Sequence, residues 1–562
     1  MLSWIKNYWA ELLVFGAIFA VLLIDCAPTM TWINTDSDGI HYTYAAKYLL
    51  PAHKTSAPLF LLLGHAFLWL PFGTEFWRFA MLSVLASTAS AVFIYLIIKE
   101  KVGKEGRIYG LIGALVFGGS TLVISQSTIV EAYALMAMAG VGAYYFAIKR
   151  QWKRCALMLG TGFAAHFMIS LTAIVLLLTF KELRPHLEKQ RLRNWTPLAI
   201  ILSFFLFYLY IPITASRTPL DMWGNTTFSD FVNDNANTGL MLLGGLSIWD
   251  LPKRIFDTLG ILGVSLGLAT IPIVLACWKR NWIKEPLVWL MLLPITIYAT
   301  NLAPQTYVYM IPTIGFGAIA AGIGLAKMRP YWKWAVLGCA VGLLAFNANY
   351  LDIGRTLDPE LSASKYYYEE LDKVPNGQIL VAQQGWEWAA IPMYNKENNR
   401  NILPVCTGTL PSKTYQQSLK DMEIKFEIPE VVRYEFSSNI AASILELNNN
   451  VWLTTPSKPR TYGAEIVPAK GNEELLGSTS HAILSTQEWK WRPSNPYDII
   501  TGAIEVEEWV EIVVSNYSCL MFVMLGVIGA VPAWIGYMVI VEKKKWSLKK
   551  NKEVKANVAN PN

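Results

Sequence analysis

Long apolar runs alternate with short polar segments over the first 350 residues of the chain. Runs near the roughly 20 residues that about 30 Å of hydrocarbon requires lie at 10–30, 75–98, 107–126, 128–148, 195–213, 257–278, 286–303, 306–326 and 332–349, and another lies at 517–541. Each of these runs predicts a transmembrane helix.

The apolar segment 155–180 does not fit a single crossing, because basic residues flank both of its ends. Cytoplasmic loops carry an excess of Lys and Arg, so both ends should lie inside, yet about 26 residues are too few for two full spans. We therefore predict two half-membrane helices that turn near Ala165 and His166 within surrounding protein. The flanking clusters run from Lys149 to Arg154 and from Lys181 to Arg193. The other basic clusters run from Lys99 to Arg107, Lys279 to Lys284, Lys327 to Lys333 and Lys543 to Lys550.

The predicted topology has about twelve helices, both termini in the cytoplasm, and segments 31–74, 214–256 and 350–516 outside. The fold class is an all-α polytopic membrane protein with a small external α/β domain. Its parts are a membrane module at 1–349, a soluble α/β domain at 350–516, a last transmembrane helix at 517–541 and a basic cytoplasmic tail at 542–562. The strand-like runs "GQILVAQQ", "NILPVC" and "VWLTTP" alternate with helical ones in the soluble part.

Composition agrees with a membrane protein, since 54% of the 562 residues are hydrophobic and the mean hydropathy is +0.34. The net charge of +6 comes from topology-determining clusters and does not indicate nucleic-acid binding. Five of the six cysteines lie in apolar segments, which excludes a disulfide framework. Lys6 precedes the first apolar run without a convincing cleavage site, so we expect that span to be retained.

The first outer loop, "NTDSDGIHYTYAAKYLLPAHKTSAPL" (34–59), carries the most informative polar residues. Ile40, Tyr44 and Tyr48 have helical spacing and predict an amphipathic surface helix. Asp36 and Asp38 then lie at its N-terminal end, where the helix dipole favours the ionised form that a general base needs. The alternative is that both aspartates form only an N-cap and a turn.

Further candidates lie in the predicted spans. Glu131 falls about one turn inside the outer end of the fourth span, where a carboxylate is costly and usually faces the bundle interior; it can share a cavity with the loop aspartates, or be a hydrogen-bonded structural residue. His166 lies at the predicted turn and is either functional or a packed imidazole. Cations on the outer side are candidates for an anionic phosphate or for lipid headgroup contact: Lys47, Lys54, Arg78, Arg217, Lys253 and Arg254.

Several motifs occur in a familiar order: "TDSDG" (35–39), "HKTSAPL" (53–59), "EAYAL" (131–135), "YLYIPITASRTPLDMWGN" (208–225) and "YVYMIP" (307–312). Together they resemble the membrane-embedded GT-C glycosyltransferases, and within them the protein O-mannosyltransferase-like family, over roughly residues 10–330. The chain departs from the family pattern at three places. Lys-Thr-Ser follows His53 in place of Pro-Pro-Gly, Thr214 replaces an Arg, and Asn225 replaces an Asp.

The resemblance implies an inverting transfer of a mannose-like hexose from a polyprenyl-phosphate donor to an acceptor hydroxyl, expected to be protein Ser or Thr. The reaction would take place on the outer face of the plasma membrane. Asp36 or Asp38 would be the base and Glu131 a second catalytic carboxylate. The expected substrate-binding residues are His53, Lys54, Arg78, His166, Arg217 and Trp223. A divalent metal, Mg or Mn, could bind the two aspartates, although no ligand cluster decides this.

Two other interpretations remain open. The acceptor could be a lipid or a surface polysaccharide instead of protein. A transporter or flippase could also have about twelve spans, but it should show inverted repeats and matching broken helices. The chain has instead a large insertion before its last predicted helix, which favours the enzyme.

Overall fold

The computed structural model of the protein describes residues 2–29, 38–52, 57–166, 168–180, 196–215, 251–277, 285–300, 306–350, 363–382, 387–406, 410, 413–427, 443–444, 447–448, 451–455 and 481–484. The described residues belong to one compact unit, which spans residues 1–497. The predicted last helix and basic tail lie outside the described residues.

Helices make up the described part of the chain up to residue 350. They are α1 (Leu2–Ile24), α2 (Asp38–Tyr48), α3 (Pro58–Leu68), α4 (Glu75–Val102), α5 (Gly106–Gly118), α6 (Thr121–Ser127), α7 (Tyr133–Ile148), α8 (Trp152–Ala165), α9 (Ile169–Thr179), α10 (Thr196–Phe204), α11 (Tyr210–Ala215), α12 (Leu251–Leu266), α13 (Thr270–Cys277), α14 (Pro286–Thr300), α15 (Ile311–Leu325) and α16 (Tyr331–Tyr350). Short 3₁₀ turns at Phe205–Leu209, Gly267–Ala269 and Thr306–Met310 join some of them.

Within the described residues, five helical stretches are long and apolar enough to cross a membrane: Asn7–Ile24, Glu75–Val102, Thr196–Thr214, Arg254–Cys277 and Tyr307–Leu325. The bent pair α5 and α6 raises this number to six if it forms one span. Hydropathy cannot detect such bends, and α7 and α9 are shorter than the apolar runs that contain them. The total of about twelve spans therefore stays a prediction.

The run 107–126, predicted as one span, is broken between α5 and α6 with a bend of 63°. Asn347 of α16 satisfies polar groups at this break, because its Nδ2 donates to the Gly119 carbonyl at 2.8 Å and its Oδ1 accepts from Thr121 Oγ1 at 3.0 Å. A broken membrane helix needs such partners for its freed backbone groups. The bend leads the chain through a buried polar stretch toward Glu131.

The predicted turn in segment 155–180 coincides with a helix break. Helix α8 ends at Ala165 and α9 begins at Ile169, with His166 between them in extended backbone conformation. The His166 N–H donates to the Gly162 carbonyl at 2.7 Å and closes the last turn of α8. The position of the break agrees with the sequence pattern, and the half-membrane course of both helices stays a prediction.

Helices α13 and α15 approach so closely that a glycine is required between them. A Cβ atom on Gly324 would lie 2.1 Å from the Pro272 carbonyl oxygen, and small residues permit such close approach of membrane helices. We expect Gly324→Ala to destabilise the detergent-solubilised protein by about 1–3 kcal/mol, the usual cost of overpacking, as measured by thermal unfolding.

Gly338→Ala is the matched control for that prediction. Gly338 lies in α16, and a Cβ atom there would meet no atom within 4 Å. Alanine has the higher helix propensity, so the melting temperature should be unchanged or slightly raised. Equal destabilisation by both substitutions would contradict the close α13–α15 packing.

After residue 350 the described chain forms an α/β fold. Helices α17 (Ala363–Asp372), α18 (Glu387–Asn398) and α19 (Lys413–Asp421) accompany strands β1 (Ile379–Ala382), β2 (Leu403–Cys406), β3 (Trp452–Thr455) and β4 (His481–Leu484). The strands are parallel in the order β2-β1-β3-β4. The three strand-like runs seen in the sequence carry β1, β2 and β3. The placement of this region outside the membrane stays a prediction.

Candidate active site

Helix α2 begins at Asp38, one of the two loop aspartates. Seven consecutive residues from Ile40 to Ala46 are buried, including the polar His41 and Thr43. The sequence predicted an amphipathic helix lying on a surface, but α2 is enclosed by protein on all sides over this stretch. The helical spacing of Ile40, Tyr44 and Tyr48 indicates one buried face only, whereas neighbouring helices cover the polar face of α2 as well.

The first turn of α2 packs against the segment that carries Glu131. A Cβ atom on Gly39 would lie 3.6 Å from the Val130 carbonyl oxygen and 3.7 Å from the Val130 Cβ. Glu131 itself is only 2% exposed, and its carbonyl accepts a hydrogen bond from Ser83 Oγ of α4 at 2.9 Å. The fold thus brings Asp38 and Glu131, 93 residues apart, into one region, which is one of the two alternatives that the sequence left open for Glu131.

Tyr42 lies one turn beyond Asp38 and is 2% exposed. Burial raises the pKa of Tyr42 well above its usual value, and the charges of Asp38 and Glu131 raise it further. The phenol therefore stays protonated and can donate a hydrogen bond. Its ring packs edge-on against Phe60 of α3, with 5.2 Å between centroids, which fixes its direction.

Three aromatic side chains form a ring cluster beside these carboxylates. The centroid distances are 5.3 Å for Tyr133 and His166, 6.0 Å for Tyr133 and Tyr309, and 5.8 Å for His166 and Tyr309. Asp38 and Glu131 lie near enough to act electrostatically on both phenols. The cluster joins α7, the α8–α9 break and the turn before α15 at one place, so His166 belongs to the same site as the carboxylates.

The backbone fixes the orientation of the His166 ring. The Met168 N–H points to His166 Nδ1 at 3.3 Å, which makes Nδ1 the acceptor and leaves the proton of the neutral ring on Nε2.

Two tyrosines of the "YLY" stretch (208–210) bind backbone carbonyls near the site. The Tyr208 hydroxyl donates to the Phe163 carbonyl at 2.7 Å, and the Tyr210 hydroxyl donates to the Leu50 carbonyl at 2.9 Å.

Two of the predicted phosphate-binding cations have other partners. Lys47 Nζ lies 2.7 Å from a Glu75 carboxylate oxygen and 2.6 Å from Glu397. Arg78 Nη1 donates to the Leu68 and Leu70 carbonyls at 2.5 and 2.7 Å, and closes the end of α3. The remaining predicted site residues, Asp36, His53, Lys54, Arg217 and Trp223, lie outside the described residues.

An apolar cleft adjoins the ring cluster on the side of α9 and α14. Its empty volume is about 260 Å³, open solvent included. Tyr309 forms one end of the wall, and the remaining lining is almost entirely apolar: Met168, Leu171, Thr172, Val175, Leu290, Leu293, Pro294 and Pro312. Such a lining favours contact with an apolar group.

Metal binding was left open by the two loop aspartates. Among the described residues, no group of three or more His, Cys, Asp or Glu side chains is placed to hold a metal ion. Of the two aspartates predicted as metal ligands, Asp36 and Asp38, the structure describes Asp38.

Part of the chain matches a known protein family. Residues 38–188 match the family model of the protein O-mannosyl-transferase TMEM260 N-terminal domain. The matched segment begins at Asp38 and contains Glu131, Tyr133 and His166. No curated protein sequence matches the chain significantly.

The fold of the chain resembles that of proteins of known structure. ArnT from Cupriavidus metallidurans bound to undecaprenyl phosphate aligns with a TM-score of 0.53 at 11% identity, over 74% of this chain and 88% of ArnT. The chain therefore shares the GT-C fold of ArnT. The oligosaccharyltransferase AglB from Archaeoglobus fulgidus, in complex with an inhibitory peptide and a dolichol-phosphate, aligns with a TM-score of 0.44 at 9% identity, over 75% of this chain and 69% of AglB. The protein is an integral membrane protein, as its apolar helices indicate.

Three tyrosines of the site, Tyr42, Tyr133 and Tyr309, are not among the site residues predicted from the sequence. Tyr133 and Tyr309 stand inside the motifs "EAYAL" and "YVYMIP", so both motifs already carried the signal. Tyr42 follows Asp38 by four residues, which places it on the same helix face. Among Tyr42, Tyr44 and Tyr48, only a tertiary neighbour such as Glu131 distinguishes the site residue from the others.

Proposed function

We propose that this protein is a glycosyltransferase that transfers a mannose-like hexose from a polyprenyl-phosphate donor to an acceptor hydroxyl, with protein Ser or Thr as the preferred acceptor. The observation that carries the proposal is the meeting of Asp38 and Glu131 beside Tyr42, Tyr133, His166 and Tyr309. The name of the matching family supports mannose and protein as substrates. The site would lie on the outer face, with both termini inside, as the positive-inside rule predicts.

In this mechanism Asp38 is the general base. Its carboxylate accepts the proton of the acceptor hydroxyl while the hydroxyl oxygen attacks the anomeric carbon of the sugar. The bond between that carbon and the phosphate oxygen breaks, and the electron pair leaves with the polyprenyl phosphate. Attack from the face opposite the phosphate inverts the anomeric configuration. Asp38 stands in the first turn of α2, at the end of the helix where the dipole interacts favourably with carboxylates.

Glu131 and the ring cluster would hold the sugar. A hexose presents hydroxyl groups that a carboxylate can accept from, while protonated phenols and the His166 Nε2–H can donate. Positive charge develops on the sugar ring in the transition state of glycosyl transfer. The Glu131 carboxylate, buried near Asp38, is placed to stabilise that charge in a site with little water.

The donor lipid would approach along the apolar cleft between α9 and α14. A prenyl chain on the cleft lining would end near Tyr309, where its phosphate meets the phenols. Lys54 and Arg217 remain our proposed phosphate contacts, and His53 and Trp223 our proposed substrate contacts. An acceptor lipid or surface polysaccharide is the second candidate, since the Pro-Pro-Gly of the related family is Lys-Thr-Ser at 54–56.

Reconstitution tests the proposal. The purified protein in liposomes is given a panel of polyprenyl-phosphate hexoses, with Ser- and Thr-containing peptides, glycolipids or polysaccharide fragments as acceptors. We expect release of polyprenyl phosphate with the mannose-type donor only when an acceptor is present, and a glycosylated peptide as product. Parallel assays with EDTA, and with Mg²⁺ or Mn²⁺ added back, test the metal. Consumption of none of the donors would contradict the proposal, and product on glycolipid alone would establish the second candidate.

A further inference from the structure

A second cluster of charged residues lies at the far end of α2, where the helix meets the α/β region. Lys47, in the last turn of α2, lies between Glu75 of α4 at 2.7 Å and Glu397 of α18 at 2.6 Å. The three side chains are only 25%, 29% and 24% exposed. One ammonium group thus links three elements that are distant in the sequence. We call this group the Lys47 joint.

Aromatic contacts reinforce the Lys47 joint. Lys396 Nζ lies over the Tyr48 ring, 4.2 Å from its centroid, and 5.3 Å from that of Tyr44. Burial raises the pKa of Tyr368, and the charge and hydrogen bond of Glu397 raise it further. Tyr368 thus stays protonated as a partner of Glu397. Cation–π contacts and shielded ion pairs are stronger than an isolated surface pair. The Lys47 joint therefore holds α2 and α18 together.

Helix α18 is itself fixed to the α/β region. The buried Tyr394 hydroxyl donates to Asp372 of α17. Asn395 exchanges two hydrogen bonds with Ile402, just before β2, at 2.8 and 3.1 Å. Glu397 follows these anchors directly and therefore presents its carboxylate from a rigid support.

Asp38 stands at the opposite end of the same helix. Lys47 is nine residues further along, which is about 14 Å at the rise of an α-helix. A helix is stiff over such a length, so a shift at Lys47 moves Asp38 relative to Glu131. Placement errors near 1 Å can cost roughly 100-fold in rate.

We infer that the α/β region positions the base: Lys47 and Glu397 are positioning residues that hold α2 in register with the carboxylate and phenol site. This inference rests on the proposed function only in taking Asp38 as the base. It also changes the assignment of Lys47, whose ammonium pairs with two protein carboxylates and is not placed for a substrate phosphate.

The kinetic test compares Glu397→Gln and Lys47→Met with Lys47→Arg in liposomes. Loss of the ion pair should lower kcat on the order of 10-fold, which is less than the roughly 100-fold loss that a displacement of about 1 Å can cause. The change in KM for the donor should be smaller than the change in kcat. Lys47→Arg should recover most of the rate because guanidinium can also bind two carboxylates. The double variant should be no slower than either single variant, since both break one joint. Asp421→Asn, which removes an exposed carboxylate of α19, should have wild-type kcat.

Hydrogen exchange tests the inference without any activity. In Glu397→Gln, amides of residues 38–48 should exchange faster while those of α4 and α15 keep the wild-type rate. Unchanged exchange in α2 together with unchanged kcat would overturn the inference. If the wild-type protein consumes no donor but α2 still loosens, the proposed function fails and the structural link survives. Faster exchange throughout the protein would show general destabilisation and would also overturn a specific positioning role.

Discussion

Asp38→Asn lowers the turnover of sugar transfer by about 10²–10⁴-fold, the usual contribution of a general base. Asparagine keeps the size of the side chain and its place at the first turn of α2, but its amide cannot accept the hydroxyl proton. Because Asn is as good as Asp at a helix start, the fold should be retained. The measurement is polyprenyl-phosphate release in liposomes at saturating donor and acceptor.

Asp36→Asn distinguishes the two loop aspartates. Asp38 lies near Glu131 and Tyr42, so we expect its variant to have the larger effect on kcat; Asp36 lies outside the described residues. A wild-type rate for Asp38→Asn with a strong loss for Asp36→Asn would move the base to Asp36. Wild-type rates for both variants would show that neither aspartate is the base.

Glu131→Gln lowers kcat by about 10²–10³-fold, comparable with removal of one strong electrostatic group from a transition state. Glutamine preserves the volume and the hydrogen-bonding reach of this buried side chain, but it removes the negative charge that faces the sugar. We expect the loss in kcat to come with little change in melting temperature. Turnover and thermal unfolding measured on the same preparation provide both values.

Glu11→Gln is the matched control for Glu131, because Glu11 is also a buried carboxylate of a membrane helix. It is 6% exposed, pairs with Arg107 and accepts from the Tyr95 hydroxyl at 2.7 Å. Breaking a buried ion pair is costly for stability, so Glu11→Gln should lower the melting temperature and leave kcat unchanged. If Glu131→Gln behaved in the same way, Glu131 would be the structural residue of the alternative interpretation.

Much of the architecture could be predicted from local patterns. The helix break at His166 follows from basic clusters on both sides of 155–180, and the strands β1 to β3 follow from short apolar runs in a polar context. The helix break and the strands each use information within about one element or one loop. Topology placed Asp38 in the first outer loop and Glu131 near the outer end of a predicted span, which allowed a shared cavity but left a purely structural role for Glu131 open.

The remaining features depend on contacts between distant residues. Lys47 was a reasonable candidate for phosphate until its partner Glu397 was found 350 residues away. The bend after Gly119 depends on Asn347 of α16, which hydropathy cannot connect to it. The buried polar face of α2 likewise requires knowledge of the helices that cover it. Periodicity reports the average environment of a segment, not the identity of its neighbours.

A single-turnover assay tests the central claim most directly. Wild-type protein, Asp38→Asn and Glu11→Gln, each in excess over a mannose-type polyprenyl-phosphate donor and supplied with acceptor, are followed for both polyprenyl phosphate and glycosylated product. We predict equal amounts of the two products, at similar rates for wild type and Glu11→Gln, and a rate at least about 100-fold lower for Asp38→Asn. An Asp38→Asn rate equal to that of the wild type would contradict the account.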